Sequence, residues 1–131
     1  MSAVDIVTKA FEALAVCDLD AARPYFAEDI KYHLLNHNSR HQRLYDGVDA
    51  FLDLRAQVDR VSNGTYTFPI HGVYAAGDEL VIVHAETRAT FDGRTGGGHW
   101  VVVARVIDGL IVQVTDTAET ALDRFWRPKT A

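Results

Sequence analysis

The apolar residues change their period near the middle of the chain, and that change limits the fold more than any other feature. Val4, Val7, Phe11 and Leu14 lie on one stripe of an amphipathic helix, and Val48, Phe51, Leu54, Val58 and Val61 lie on another. From Thr65 onward the period becomes two. The punctuation there is Gly77-Asp78, Asp92-Gly93, Gly96-Gly97-Gly98 and Asp108-Gly109, which reads as turn chemistry between four strands. Helices first and an antiparallel meander afterwards describe an α+β fold with one core. A chain of 131 residues has room for one core and not for two, so residues 1–131 are expected to form a single domain.

Local signals divide the first half. The opening helix should stop near Cys17, after which Asp18 is placed to cap a short second helix that contains or ends at Pro24. Residues 30–35 alternate as a strand. Residues 36–45 are polar without period and read as a loop with the character of a lid. Asp46-Gly47 opens the third helix and Asn63-Gly64 closes it.

The last hairpin sets which residues face inward. With a three-residue loop, Ile107-Asp108-Gly109, Val106 opposes Leu110. Trp100, Val102, Ala104 and Val106 then share a face with Leu110, Val112, Val114 and Asp116. A two-residue loop mixes apolar and polar side chains, so the longer loop is expected. Asp116 is then the one ionisable residue on an apolar face, opposite or diagonal to Trp100. Burial disfavours its charged form, and its pKa should rise toward the range useful for proton transfer. The same parity groups Ile30, Tyr32 and Leu34, groups Tyr66, Phe68 and Ile70, and turns Val83, Ala85 and Thr87 inward. His84, Glu86 and Arg88 point outward, as do His99, Arg105, Gln113 and Thr115. Tyr32 brings a hydroxyl that can donate to a bound carbonyl or to Asp116.

Each of these residues also has a structural reading. Asp116 with Glu119 can cap a helix that begins before Ala121-Leu122. Tyr32 can be a buried hydrogen-bond donor, and Trp100 plain core. The single cysteine, Cys17, excludes an internal disulfide. His33, His37, His41, His71, His84 and His99 lack the tight spacing of a zinc site, so no metal is expected. Gly96-Gly97-Gly98 precedes a strand rather than a helix and reads as a turn, not a phosphate cradle. A net charge of −5 without a basic cluster argues against nucleic acid. No run approaches a membrane span and no secretory signal is visible, which leads to an expectation of a cytoplasmic protein.

Asp18-Leu19-Asp20-Ala21-Ala22 leading into Tyr25-Phe26-Ala27-Glu28-Asp29, Tyr45-Asp46-Gly47-Val48-Asp49-Ala50-Phe51, and Asp108-Gly109-Leu110-Ile111-Val112 followed by Asp116 together resemble SnoaL-like proteins of the nuclear transport factor 2-like superfamily. The resemblance spans nearly the whole chain. It implies a cone-shaped α+β barrel, with three N-terminal helices packed on a curved, mostly antiparallel sheet around an apolar pocket. The superfamily includes polyketide cyclases, ketosteroid isomerase, limonene epoxide hydrolase and scytalone dehydratase, together with non-catalytic domains. By that likeness Asp116 matches the cyclases' acid/base aspartate and one aspartate of the epoxide hydrolase, and Tyr32 matches the hydrolase's water-positioning tyrosine. Leu34 stands where the isomerase has its base. Val102 stands where the isomerase has its oxyanion-hole aspartate and the cyclases a histidine. Ala85 and Thr87 replace the hydrolase's arginine and second aspartate, so neither of those two chemistries carries over. The expectation is a cofactor-free pocket for a small apolar or weakly polar ligand. Asp116 and Tyr32 are its catalytic pair, and Trp100, Val102, Leu34, Phe68, Ala85 and Phe51 its walls. The alternative is a non-catalytic binding or assembly domain. In either case the resemblance implies a homodimer through the outer sheet face.

Overall fold

The computed structural model describes residues 1–35 and 43–118. Ser2 starts the first helix, α1 (Ala3–Ala15): its hydroxyl accepts the Asp5 amide and the Asp5 carboxylate accepts the Ser2 amide. Ile6, Val7, Ala10, Phe11 and Leu14 form its buried face, with Val4 only partly covered. Cys17 adopts a left-handed conformation that ends α1, and Asp18 then caps α2 (Leu19–Ala22) by accepting the Ala21 amide at 3.2 Å. Pro24 sits in the 3-10 turn Arg23–Tyr25 that follows, where its missing N–H is tolerated.

The remaining elements are β1 (Phe26–Leu34), β2 (Leu44–Asp46), α3 (Val48–Val61), β3 (Ile70–Ala75), β4 (Leu80–Phe91), β5 (Arg94–Ile107) and β6 (Leu110–Ala118). They form one open, six-stranded sheet in the order β2-β1-β6-β5-β4-β3. The β1·β6 pair is parallel and the other four pairs are antiparallel. The buried residues of α1 and α3 share one core with the inward residues of the sheet, including Val81, Val83, Ala85, Val102, Ala104 and Val114. This is the α+β architecture expected from the change of period. Among the described residues no helix is long and apolar enough to cross a membrane.

Four local expectations are corrected. Leu44–Asp46 pairs with β1 as an edge strand, so the loop expected over residues 36–45 does not extend to Tyr45. Residues 36–42, with the lid expectation, His37 and His41, lie outside the described residues. The stripe on α3 stops at Val58, since Val61 is exposed while Leu52 and Arg55 are buried. Gly96-Gly97-Gly98 is not a turn. The turn is Asp92-Gly93, both at positive φ, and the glycines run inside β5 opposite Thr87, Arg88 and Ala89. A Cβ at Gly97 would lie 1.8 Å from the Thr87 carbonyl oxygen, so this close approach of two strands requires glycine there.

The fourth correction concerns the last hairpin. Ile107 pairs with Leu110, leaving Asp108 and Gly109, both at positive φ, as a two-residue turn. The phase is then restored by a bulge: Val106 opposes Ile111 while Arg105 opposes Gln113, which leaves Val112 as the extra residue. Ile111 is therefore fully buried in place of the expected Leu110 and Val112, and Leu110 is exposed. Beyond the bulge Val114 and Asp116 face inward, as expected.

Candidate active site

Asp116 lies on β6 between β1 and β5, opposite Leu34 on one side and Val102 on the other. Its residue is 4% exposed. A lone carboxylate so placed needs hydrogen-bond donors, and two side chains supply them. The Tyr32 hydroxyl donates to Oδ2 across the parallel pair. The Trp100 indole, which can only donate, reaches the carboxylate from β5, where it is diagonal to Asp116. Burial pushes the Asp116 carboxyl up to about 6, and the bonds from Tyr32 and Trp100 restrain that rise. The Tyr32 phenol is raised well above its usual value, first by burial and then by the negative charge of Asp116. The shift expected from an inward carboxylate is thus present, with the expected cause.

Of the six residues expected as walls, Leu34, Val102, Phe51 and Trp100 lie against Asp116 or Tyr32, while Phe68 and Ala85 lie against Trp100. Phe51 packs on Tyr32 with ring centroids 4.9 Å apart, and Phe68 packs on Trp100 at 4.8 Å. Ala85 pairs with Trp100 across β4 and β5, and Val102 pairs with Asp116; both are fully buried. Leu34 is half-buried at the end of β1, where the Leu35 amide donates to the Asp116 carbonyl at 2.9 Å. The aromatic packing continues from Phe51 to Phe26 and from Phe26 to Phe11, which also meets Trp100. Asp116 belongs to the interior of β6, so it is not the cap of a following helix. Glu119, Ala121 and Leu122, the other members of that reading, lie outside the described residues.

Two further polar groups lie near the site: Tyr66, which the sequence parity groups with Phe68 and Ile70 without assigning it a role, and Arg55, which sequence reasoning missed. Tyr66 is half-buried beside Phe68, and its phenol is raised by burial and by the charge of Asp116, with the Arg55 guanidinium acting the other way. Arg55 is a buried cation whose Nε donates to the Leu14 carbonyl at 2.7 Å and whose Nη2 donates to the carbonyls of Ala15 and Tyr66. It therefore closes the C-terminal end of α1, where cations are favoured, and lies over the Tyr66 ring at 4.8 Å. The available signal was a cation at a stripe position, one helical turn after Phe51. A surface groove of about 700 Å³ lies elsewhere, between α1 and residues 67–70; Thr8, Glu12, Phe68 and Arg88 line it, and Asp116 does not.

On the opposite face of the sheet, β3, β4 and β5 bring together His71, His84 and His99. The rings of His71 and His84 are 5.1 Å apart, as are those of His84 and His99. Nε2 of His84 and Nδ1 of His99 are hydrogen-bonded at 2.9 Å, and His71 Nε2 donates to Glu86 at 3.0 Å. Among the described residues no group of three or more His, Cys, Asp or Glu is arranged to hold a metal ion.

Residues 7–114 match the SnoaL-like domain family model, and the chain belongs to that family. Solved structures share the fold over nearly the full length. Bal32a, from a soil-derived mobile gene cassette, is 20% identical with a TM-score of 0.89, covering 95% of this chain and 96% of its own. A protein of unknown function with a cystatin-like fold from Xanthomonas campestris is 22% identical with a TM-score of 0.86, covering 97% and 99%. IdmH from Streptomyces antibioticus, a proposed polyketide cyclase, is 20% identical with a TM-score of 0.77, covering 95% and 96%. Among curated proteins none matches the sequence.

Proposed function

We propose that this protein is a small-molecule enzyme that moves a proton on, or adds or removes water from, a hydrophobic carbonyl or polycyclic substrate, with Asp116 as its acid/base group. The carrying observation is Asp116 itself, a buried carboxyl on an apolar wall, pushed up to about 6 by burial and aimed by Tyr32 and Trp100. A group with that value is mostly ionised near neutral pH and takes a proton readily, which suits it to general-base work. As a base it would remove a proton from carbon next to a carbonyl and return it, as the acid, to the product. Of the two acceptors expected for the Tyr32 hydroxyl, the one it has is Asp116, so Tyr32 orients and tunes the carboxyl. Membership of the SnoaL-like family and the likeness to a proposed polyketide cyclase support this class of substrate.

A second reading is a non-catalytic binding domain, and one observation favours it. The donors that Asp116 needs are already supplied by the protein, as in a structural polar cluster. A thermal-shift screen of hydrophobic ketones, polyketide-like aromatics and small epoxides separates the two, since a ligand selective for the folded state raises the midpoint. For a hit that is turned over, Asp116→Asn should keep binding and lose on the order of 10²- to 10⁴-fold in kcat. The pH profile of kcat/KM should rise through a value near 6. A hit turned over equally well by Asp116→Asn removes Asp116 from the chemistry; binding without turnover establishes the second reading.

A further inference from the structure

Removing a proton next to a carbonyl puts negative charge on the substrate's oxygen, and that charge needs a hydrogen-bond donor. Two donors near the acid are already engaged. The Tyr32 hydroxyl and the Trp100 indole both bond to the Asp116 carboxylate.

The buried polar side chains show where the fold has fixed another. Besides tyrosine and tryptophan, the buried polar residues among those described are Arg55, Ser62, Thr87 and Asp116. Thr87 donates to the Gly98 carbonyl at 3.1 Å, within the β4·β5 ladder. Arg55 and Ser62 both hold Tyr66. Ser62 Oγ accepts the Tyr66 amide at 3.1 Å, and Arg55 Nη2 donates to the Tyr66 carbonyl at 3.3 Å. Tyr66 lies between α3 and β3, outside the regular elements, yet both its backbone polar groups are satisfied by buried side chains. Such support is what a side chain held in one working position requires.

The Tyr66 side chain leads back to the acid. Its ring meets Phe68 edge-on at 6.0 Å, Phe68 packs on Trp100 at 4.8 Å, and Trp100 holds Asp116. The residue is half-buried, but burial is the first cause that raises its phenol, so the hydroxyl end is the covered one. The charge of Asp116 raises the phenol further, while the Arg55 guanidinium, 4.8 Å from the ring centroid, acts the other way. Tyr66 therefore keeps its proton. When Asp116 takes a proton from substrate, the opposing charge is gone and that of Arg55 remains. Tyr66 then becomes a stronger donor as negative charge reaches the substrate's oxygen.

We propose that the Tyr66 hydroxyl is a second catalytic group, the donor that meets the oxygen of the substrate's carbonyl. This rests on the reading of Asp116 as the base. Carbon next to the carbonyl gives its proton to Asp116, the C–H electron pair becomes a C=C bond, and the carbonyl π pair moves onto oxygen. Tyr66 donates a hydrogen bond to that oxygen and keeps its own proton. Return of the first proton from Asp116 to carbon completes the exchange.

The ketone 6-acetyl-2-dimethylaminonaphthalene reports on oxygen and proton separately. A hydrogen bond to its carbonyl moves its fluorescence to longer wavelength, and removal of its acetyl protons appears by NMR as exchange in deuterium oxide. Tyr66→Phe loses only the hydroxyl, and the ketone bound to it should emit at shorter wavelength than on wild type. Its Kd should change by less than about tenfold, and kcat for exchange should fall on the order of 10²-fold. Tyr32→Phe should leave the emission in place and move the pH profile of exchange upward, because a hydrogen bond that favours ionised Asp116 is lost. Asp116→Asn should keep the hydrogen-bonded emission and lose the exchange. The inference is overturned if wild type shows no saturable binding of the ketone, or if Tyr66→Phe leaves its emission unchanged. It is equally overturned if the emission moves instead in Tyr32→Phe or in Tyr45→Phe, whose ring lies 6.0 Å from that of Tyr32. Exchange that needs Asp116 and ignores Tyr66 overturns it too, and leaves Asp116 as the base. An emission that depends on Tyr66 without any faster exchange overturns the reading of Asp116 and keeps Tyr66 as the donor to a bound oxygen.

Discussion

The two faces of β4, β5 and β6 are made from the same stretches of chain, yet they handle charge in opposite ways. Inward lie Val83, Ala85, Trp100, Val102, Ala104, Val114 and one carboxylate, Asp116, whose two hydrogen-bond donors come from neighbouring strands. Outward, Glu79, Glu86, Arg88 and Arg105 pair in water, beside three histidines. Alternation alone puts residue n on one face and residue n+1 on the other. A carboxylate is therefore an ordinary surface group at Glu86 and a perturbed one at Asp116. What separates them is access to solvent rather than residue type: burial disfavours the inner ion, and the outer pairs have little to gain beyond what water already gives.

The largest effect expected from this contrast is on stability against pH. Asp116 has an ordinary value of 3.8 and is raised to about 6 in the fold. Between those values the folded protein keeps a proton that the unfolded chain releases. Its contribution is therefore fully present below pH 3.8 and is lost as pH rises through about 6. The loss amounts to about 3 kcal/mol. Urea midpoints of wild type and Asp116→Asn, compared from about pH 4 to about pH 7, should show Asn gaining steadily on Asp and then a plateau. A constant difference would place the Asp116 carboxyl in water and erase the contrast between the faces.

A second, intermediate effect concerns the pairing that keeps the two faces in phase. Gly97 lies opposite Arg88, two residues before His99, and its missing side chain lets β4 and β5 approach. Gly97→Ala must push the Thr87 carbonyl aside, and should destabilise the fold by roughly 1–3 kcal/mol in chemical denaturation. A neutral outcome would mean that the glycine run is not held in the β4·β5 ladder, and that Trp100 and His99 are positioned by something else.

Much of this arrangement is visible in the sequence, for identifiable reasons. The change of period, the Asp18 cap and the Asp108-Gly109 turn are local features, and local features are written locally. The inward placement of Asp116 was also legible, though by a route that the structure replaces. The sequence reading put the irregularity in the turn as a third loop residue, whereas the turn has two residues and the extra one is Val112 within β6. Either irregularity shifts the phase by one, so the parity at Asp116 agrees, and only Leu110, Ile111 and Val112 exchange roles. No residue type marks a bulge at Val112. Gly96-Gly97-Gly98 misled because glycine signals both turns and close strand approach, and the two differ only in what lies across the ladder. The histidine ladder and the Arg55 cap join residues from different elements, so they become visible only when register and helix packing are known.

The smallest effect belongs to the outer ion pair and completes the contrast. Arg105 and Glu79 meet at 2.8 Å with side chains 39% and 51% exposed. Such a pair gains little over its hydrated partners, so Arg105→Ala should cost roughly 0–1 kcal/mol, and added salt should shrink the difference further. A double-mutant cycle with Glu79→Ala isolates the coupling, which should stay within the same bound. The informative variable is protein concentration. If a second copy packs on this face, the pair loses water as the dimer forms, and the coupling should grow as concentration rises. A coupling that is small at every concentration would leave the pair in open water and place any self-association away from Arg105. A large one at the lowest concentration would mean that this face is covered within a single chain, and that water does not distinguish the two sides of the sheet.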